Sequence, residues 1–203
     1  MISLKVEDLS KRYVKRTIID QLSLTHEQGI LGISGANGSG KSTFLKCISY
    51  LLKPTKGSFI WAHNNNVLKK EEVKPLIGVA APYINLYAEL TARENIDFIA
   101  RISELQDYTQ SLDELISELD IQAFEHQEFG SLSTGQQQRV KLAVALIREP
   151  RILILDEPGS NLDAKGHALV EHIVDKARQQ DTCIIIASND PKEMDLCDQI
   201  ISL

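Results

Sequence analysis

The chain has 203 residues, of which 43% are hydrophobic and 25% are charged, and its formal net charge is −6. This balance is typical of one globular domain, or of one core with a small inserted subdomain. The acidic charge argues against nucleic acid as a partner, because nucleic-acid binding favours basic surface. The apolar runs are too short to span a bilayer, and the polar start does not resemble a signal peptide.

Cysteines and histidines give no sign of metal or redox chemistry. The three cysteines form no CxxC pair, and their odd number fits a reducing compartment. The five histidines are scattered, and we predict that each lies on the surface. These histidines are His26, His63, His126, His167 and His172.

The first elements in chain order are predicted from the spacing of apolar residues. Apolar and polar residues alternate from Ile2 to Val6 and predict an opening strand. The short apolar run at 29–34 predicts a buried strand that leads into glycine-rich sequence. Apolar residues then recur at helical spacing over 41–53, and Pro54 ends this predicted helix.

The middle of the chain differs in character from the two flanking regions. Residues 90–119 are polar with apolar positions at helical spacing, and Ser111 is predicted to cap a helix there. Buried strands resume at 152–155 and 183–187, on either side of a helix at 164–178. The alternation predicts a mostly parallel α/β core with an inserted helical subdomain.

A glycine-rich loop with the pattern G-x-x-x-x-G-K-S lies between the predicted strand and helix. It consists of Gly35, Ala36, Asn37, Gly38, Ser39, Gly40, Lys41 and Ser42, and Thr43 follows it in the predicted nucleotide site. Backbone amides of such a loop point at a phosphate chain, and the following helix adds its dipole. Lys41 can reach the β- and γ-phosphates, and the Ser42 hydroxyl can bind Mg²⁺. The loop therefore predicts ATP and Mg²⁺ as ligands.

Two acids follow the apolar strand at 152–155, in the order of a Walker B motif. Asp156 is predicted to hold Mg²⁺ through water, and Glu157 to polarise the attacking water as general base. Together with the phosphate loop, this pair predicts ATP hydrolysis.

A third motif reads Leu-Ser-Thr-Gly-Gln-Gln-Gln-Arg over 132–139. Ser133 and Gln136 have the spacing of a capping box, which alone predicts only an ordinary helix start. Gly135 leaves the helix tip without a side chain, so its amides are able to meet an anion.

These three motifs, in this order, resemble the ABC ATPase family over nearly the whole chain. The resemblance implies a P-loop NTPase fold with a mostly parallel central sheet, an N-terminal antiparallel β portion and an inserted helical subdomain. It divides a single ABC ATPase domain into a nucleotide-binding core, residues 1–82 and 132–203, and a helical subdomain, residues 83–131.

The resemblance also implies function and partners. It predicts an ATP-hydrolysing subunit that powers an ABC transporter through ATP-dependent dimerisation, with an integral membrane permease subunit as partner. The second cassette is expected to be either another copy of this chain or a different chain. The expected location is cytoplasmic, at the cytoplasmic face of the membrane. The sequence ends at Leu203, directly after the last core strand, so we expect no C-terminal regulatory extension.

Further positions take their expected roles from the same resemblance. Tyr13 is expected to stack on adenine, and residues 160–163 look like the loop that communicates across the dimer. Residues 86–95 resemble the segment near which the permease docks. The signature motif of the partner cassette closes over ATP, and here it comprises Ser133, Thr134, Gly135 and Gln136, with Thr134 in place of the usual glycine.

Two positions depart from the family pattern. Pro82 stands where a glutamine usually contacts Mg²⁺ and the attacking water, and proline offers neither a side-chain oxygen nor an N–H. Asn85 is a candidate substitute. Asn189 stands where a histidine usually contacts the γ-phosphate, and it can donate a hydrogen bond but cannot take up a proton. We expect Glu157, Lys41 and Asn189 to carry the catalysis.

Two alternatives remain open from the sequence. One is a soluble, non-transport ABC protein acting on ribosomes or DNA, although such chains usually carry two cassettes or a long coiled-coil insertion. The other is a degenerate cassette that binds ATP but hydrolyses it slowly, as the changes at Pro82 and Asn189 suggest.

Overall fold

A computed structural model describes residues 1–14, 16–27 and 29–203. The strands in chain order are β1 (Ile2–Tyr13), β2 (Arg16–His26), β3 (Ile30–Ser34), β4 (Lys56–His63), β5 (Asn66–Val67), β6 (Ile77–Ala80), β7 (Ile152–Asp156), β8 (Cys183–Ala187) and β9 (Gln199–Ser202). The helices are α1 (Lys41–Ile48), α2 (Lys70–Val73), α3 (Ala92–Ile102), α4 (Thr109–Glu118), α5 (Thr134–Leu146), α6 (Ala164–Gln179) and α7 (Pro191–Asp195), with short 3₁₀ turns at Lys74–Leu76 and Phe129–Ser131.

The strands form two sheets of opposite type. A five-stranded sheet has the order β6-β7-β8-β3-β9, and every pair in it is parallel. A four-stranded sheet has the order β2-β1-β4-β5, and every pair in it is antiparallel. This arrangement confirms the predicted mixed fold with a parallel core and an N-terminal antiparallel portion.

The parallel sheet carries a hydrophobic core on each face. Along β7, Ile152 and Ile154 pack with α1 and the antiparallel sheet, whereas Leu153 and Leu155 pack with α3, α5 and α6. A strand covered on both faces is apolar throughout, which is why its sequence lacks alternation. The inner strands β3, β7 and β8 are thus buried between two layers, which leaves their ends as the accessible part.

The carboxyl ends of the parallel strands meet at one edge of the sheet. Asp156 at the end of β7 is paired with Ala187 at the end of β8, and Ala80 at the end of β6 is paired with Leu155. The loop that follows β3 begins at the same edge. In open α/β sheets this edge is where ligands bind.

Helix α1 is shorter than the sequence predicts. It ends at Ile48, although apolar residues continue at helical spacing over 41–53. The indole of Trp61 donates to the Ile48 carbonyl oxygen at 2.9 Å, and Tyr50 adopts a left-handed backbone with φ 61°. The tertiary contact therefore ends the helix before Pro54.

The polar middle segment forms α3 and α4. Thr91 caps α3 in a capping box with Glu94. The prediction that Ser111 caps a helix was wrong, because α4 begins at Thr109 and Ser111 lies inside it. By contrast, α6 begins at the predicted residue, capped by the side chain of Asp163.

One histidine does not lie on the surface. His26 is 1% exposed at the end of β2, and its Nδ1 lies 3.3 Å from Oε1 of Gln199 on β9. Burial lowers its pKa.

Among the described residues, no helix combines the length and apolar character that crossing a bilayer demands.

Candidate nucleotide-binding and hydrolysis site

The loop between β3 and α1 has a backbone that only glycine adopts readily. Gly35 has φ 148° and Gly40 has φ 118°. A Cβ on Gly35 would lie 2.6 Å from the backbone oxygen of Leu203 and 2.6 Å from Ser39 Oγ. The loop curls tightly, and Ser39 Oγ is buried with no hydrogen-bonding partner among the described residues. An unpartnered buried hydroxyl fits a loop that receives a polar ligand.

Lys41 begins α1 and is buried beneath this loop. Its side chain is 6% exposed, and its Nζ donates to the backbone oxygen of Gly35 at 2.6 Å. The same Nζ lies 3.3 Å from Oε1 of Glu157. The structure therefore brings together the cation of the phosphate loop and the predicted general base.

Asp156 ends β7 as a buried acid. It is 1% exposed, and neither carboxylate oxygen accepts a hydrogen bond of ordinary geometry from the described residues. Burial raises its pKa, while the nearby Ser42 hydroxyl and the charges of Lys41 and Lys46 act in the opposite direction. A hydroxyl and an otherwise unsatisfied carboxylate are the oxygen ligands that Mg²⁺ takes beside substrate phosphates.

The described residues contain no group of three or more histidine, cysteine and acidic side chains that could hold a metal ion alone.

Glu157 has a strained backbone at the strand end. Its φ is 50°, and its N–H donates to the Ala187 carbonyl oxygen at 2.8 Å. Its Oε2 accepts a hydrogen bond from the Ser188 hydroxyl at 3.3 Å. Strained residues of this kind persist where the surroundings hold them, and they concentrate at functional sites.

Asn189 reaches the phosphate loop from the far side. Its Nδ2 donates to Asn37 Oδ1 at 3.2 Å, which links the loop after β8 to the loop after β3. The structure thus brings the Asn189 amide to the edge of the predicted nucleotide site.

Tyr13 lies at the end of β1 on the antiparallel sheet. Its side chain is 45% exposed, and Lys11 Nζ lies 5.2 Å from the ring centroid. A Cβ on Gly40 would lie 3.1 Å from Cγ2 of Ile18 on β2, so this sheet abuts the phosphate loop. Tyr13 is therefore an exposed aromatic residue on the sheet that packs against the loop, and its stacking on adenine stays a prediction.

The signature motif forms the predicted helix start. Ser133 caps α5 with its hydroxyl accepting from the Gln136 N–H at 3.3 Å, and Gln136 Oε1 accepts from the Ser133 N–H at 2.9 Å. This confirms the capping box. A Cβ on Gly135 would lie 3.1 Å from the Asn161 carbonyl oxygen, so the helix tip packs closely on the loop at 160–163.

The signature and the phosphate loop are two separate groups within the chain. Ser133 to Gln136 and Asn161 to Asp163 line an open cleft of about 740 Å³. Of the described residues that line this cleft, none belongs to the loop at 35–43. The cleft at the signature is thus distinct from the phosphate loop of the same chain.

Sequence reasoning missed three side chains that hold the site together. Gln138 Nε2 on α5 donates to the Pro158 carbonyl oxygen at 3.1 Å. Glu193 is 4% exposed, and its Oε1 accepts from the Gly159 N–H at 2.6 Å. These two contacts fix the loop that follows Glu157 from two sides. Gln138 lies within the motif at 132–139 and Glu193 lies outside every motif, but no local pattern marks either contact, because each joins residues 20 or more apart in sequence.

The third missed side chain is Lys141 on α5, which holds the junction after β6. Its Nζ donates to the carbonyl oxygen of Pro82 at 3.2 Å and lies 3.5 Å from that of Ala81. Pro82 and the candidate substitute Asn85 are both exposed. Tyr83 differs, because its hydroxyl oxygen is buried with no hydrogen-bonding partner among the described residues.

The fold and the site together define a P-loop nucleoside triphosphatase with a second, signature-bearing surface. The family model described as ABC transporter matches residues 19–160. The uncharacterized ABC transporter ATP-binding protein YybJ of Bacillus subtilis is 32% identical over 197 residues, which cover 96% of this chain and 89% of that protein. The bacitracin transport ATP-binding protein BcrA of Bacillus licheniformis is 33% identical over 92% of this chain, which spans 61% of its length.

Solved structures agree with these relatives. The dimeric structure of the bacterial ABC transporter cassette MJ0796 superimposes with a TM-score of 0.86 and 26% identity, over 98% of this chain and 94% of that chain. A dimer of the same cassette in a post-hydrolysis state, bound to ADP and Pi, gives a TM-score of 0.85. The chain belongs to the ABC transporter family. It is an ATP-binding cassette of the kind that hydrolyses ATP to power a transporter.

Proposed function

We propose that this chain binds Mg²⁺ and ATP at residues 35–43, with Ser42 and Asp156 as the metal-binding side chains. The observation that carries the proposal is the arrangement around Lys41, whose Nζ lies between Gly35 O at 2.6 Å and Glu157 Oε1 at 3.3 Å. A buried ammonium in a glycine-rich loop is suited to the β- and γ-phosphates. Magnesium, when bound, neutralises phosphate charge in such sites.

Glu157 is the proposed general base. Its Oε2 is held by Ser188 and its backbone by Ala187, so the carboxylate is oriented before any substrate arrives. It takes a proton from water as the water attacks the γ-phosphate, while Lys41 stabilises the phosphate charge. Asn189 contributes a hydrogen-bond donor only, and we therefore propose slow basal turnover with near-normal ATP affinity.

The proposed partners follow from the second surface and from the relatives. The exposed signature end, Ser133 to Gln136, lines an open cleft away from the chain's own phosphate loop, which supports pairing with a second cassette.

An integral membrane permease is the proposed other partner. The segment at 86–95 supports this, because Tyr87 is 54% exposed and packs edge-on against Phe98 at 5.1 Å. Docking there would place the chain on the cytoplasmic face of a membrane.

The experiment that tests the site is the substitution Lys41→Ala, with the exposed Lys192→Ala as matched control. Calorimetry with ATP and Mg²⁺ should show binding by the parent and by Lys192→Ala, and a loss of at least about a hundredfold in affinity for Lys41→Ala. The expected loss comes from removing the side-chain cation that meets the phosphates. Unchanged ATP affinity in Lys41→Ala would contradict the proposed site.

A further inference from the structure

Tyr83 lies directly after Pro82, the position that lacks the family's glutamine. Strand β6 ends at Ala80, which pairs with Leu155 on β7. The parallel pairing therefore brings the residues after Ala80 alongside Asp156 and Glu157. Tyr83 is the nearest residue after the strand whose side chain carries a hydrogen-bond donor.

The Tyr83 hydroxyl and the Asp156 carboxylate are both buried, on residues near the ends of the adjacent strands β6 and β7. Burial raises the pKa of the Tyr83 hydroxyl strongly, and the charge of Asp156 raises it further. The hydroxyl oxygen and both Asp156 oxygens are buried with no hydrogen-bonding partner of ordinary geometry among the described residues. Unpartnered buried polar atoms are costly, so the orphaned donor and acceptors near these adjacent strand ends indicate a polar ligand or water.

The surroundings hold the tyrosine in this place. Lys46 Nζ on α1 lies 4.0 Å from the centroid of the Tyr83 ring, and its charge also acts on Asp156. On the other side, Lys141 holds the Pro82 carbonyl oxygen at 3.2 Å. The ring and the backbone before it are thus both fixed, which is the requirement for a residue that orients another.

We propose that Tyr83 is a positioning residue for the metal-binding carboxylate, and that its hydroxyl donates a hydrogen bond towards Asp156 when the nucleotide and Mg²⁺ are bound. This inference rests on the proposed function of Asp156. Tyr83 then supplies, from the neighbouring position, the link between the β6 junction and the metal site that Pro82 cannot provide. Its effect is on the magnesium-dependent part of nucleotide binding.

The test compares Tyr83→Phe with Tyr50→Phe. Phenylalanine keeps the ring beneath Lys46 and removes only the hydroxyl. Tyr50 is a matched control, because it is also half-buried with a lysine over its ring, Lys70 Nζ at 5.5 Å from the centroid, and it lies outside the nucleotide site. ATP affinity is measured by calorimetry in EDTA and again in Mg²⁺, and the ratio of the two affinities gives the contribution of the metal.

In Tyr83→Phe, the expected ratio falls about three- to tenfold from the parent, while the affinity in EDTA and the melting temperature without nucleotide do not fall. Tyr50→Phe should keep the parent's ratio. A Tyr83→Phe ratio equal to the parent's would overturn the inference and leave the proposed function standing. An equal loss of ATP affinity in Tyr83→Phe with and without Mg²⁺ would also overturn the inference, because such a loss indicates a general structural role. A parent protein whose ATP affinity is indifferent to Mg²⁺ would overturn both.

Discussion

Lys41 and Glu157 form an ion pair across the phosphate loop, with Nζ 3.3 Å from Oε1. The lysine is 6% exposed and the glutamate side chain is 25% exposed, so the pair is only partly screened by solvent. The two residues have opposite relationships to ATP. Lys41 attracts the triphosphate, whereas Glu157 repels it and competes with it for the same ammonium.

Replacing Glu157 with glutamine should therefore tighten ATP binding while it removes the general base. We expect Glu157→Gln to bind Mg²⁺–ATP about three- to tenfold more tightly than the parent, because a neutral amide neither repels the phosphates nor pairs with Lys41. ATP turnover should fall at least about a hundredfold. Calorimetry and phosphate release measure the two effects.

Glu171→Gln, on the exposed face of α6, is the matched control and should leave affinity and turnover at parent values. Weaker ATP binding by Glu157→Gln than by the parent would show that Glu157 supports the nucleotide site instead of opposing the ligand's charge.

Asn189→His should raise turnover more than it changes ATP affinity. The parent amide donates to Asn37 at 3.2 Å but cannot carry charge, whereas an imidazolium can stabilise the γ-phosphate. We expect turnover to rise by about tenfold or more. The turnover of Asn189→Ala, which lacks the hydrogen-bond donor, should not rise above that of the parent. If the parent already turns over rapidly and Asn189→His has no effect, the idea of a weakened cassette must be abandoned.

Asn95→Ala should destabilise the fold without weakening ATP binding. Asn95 is 1% exposed, its Oδ1 accepts from the Tyr87 N–H at 2.9 Å, and its Nδ2 donates to three backbone carbonyl oxygens of the same segment. Losing these buried bonds should cost about 1–3 kcal/mol in the free energy of unfolding. Urea titration measures this cost, and the exposed Asn85→Ala serves as control. A stability equal to the parent's would mean that the segment at 86–95 is ordered by other contacts.

Local motifs were predicted well from the sequence. The capping box at Ser133 and Gln136 and the strand β8 at Cys183–Ala187 match the predictions, because short-range hydrogen bonds and unbroken apolar runs determine them. Five strands, β2, β4, β5, β6 and β9, were not predicted individually. In β1, which pairs with β2 and β4, the register shifts, so its alternation fails after Val6.

The features that could not be predicted from the sequence depend on contacts between segments that are far apart in the chain. Tyr83 and Asp156 lie near the ends of neighbouring strands only because β6 and β7 pair across a long stretch of chain, and no local pattern marks that pairing. The burial of His26 similarly depends on Gln199 from β9. The division between core and helical subdomain at residues 82 and 83, and at 131 and 132, stays a prediction.

The central claim is that ATP is bound between the phosphate loop of one cassette and the signature of another. Light scattering on Glu157→Gln at high protein concentration, with and without Mg²⁺–ATP, tests this claim most directly. A second copy of this chain is the simplest partner, so we expect a monomer without nucleotide and a doubled mass with it. Nucleotide binding that leaves the mass unchanged would contradict a sandwich between two copies of this chain.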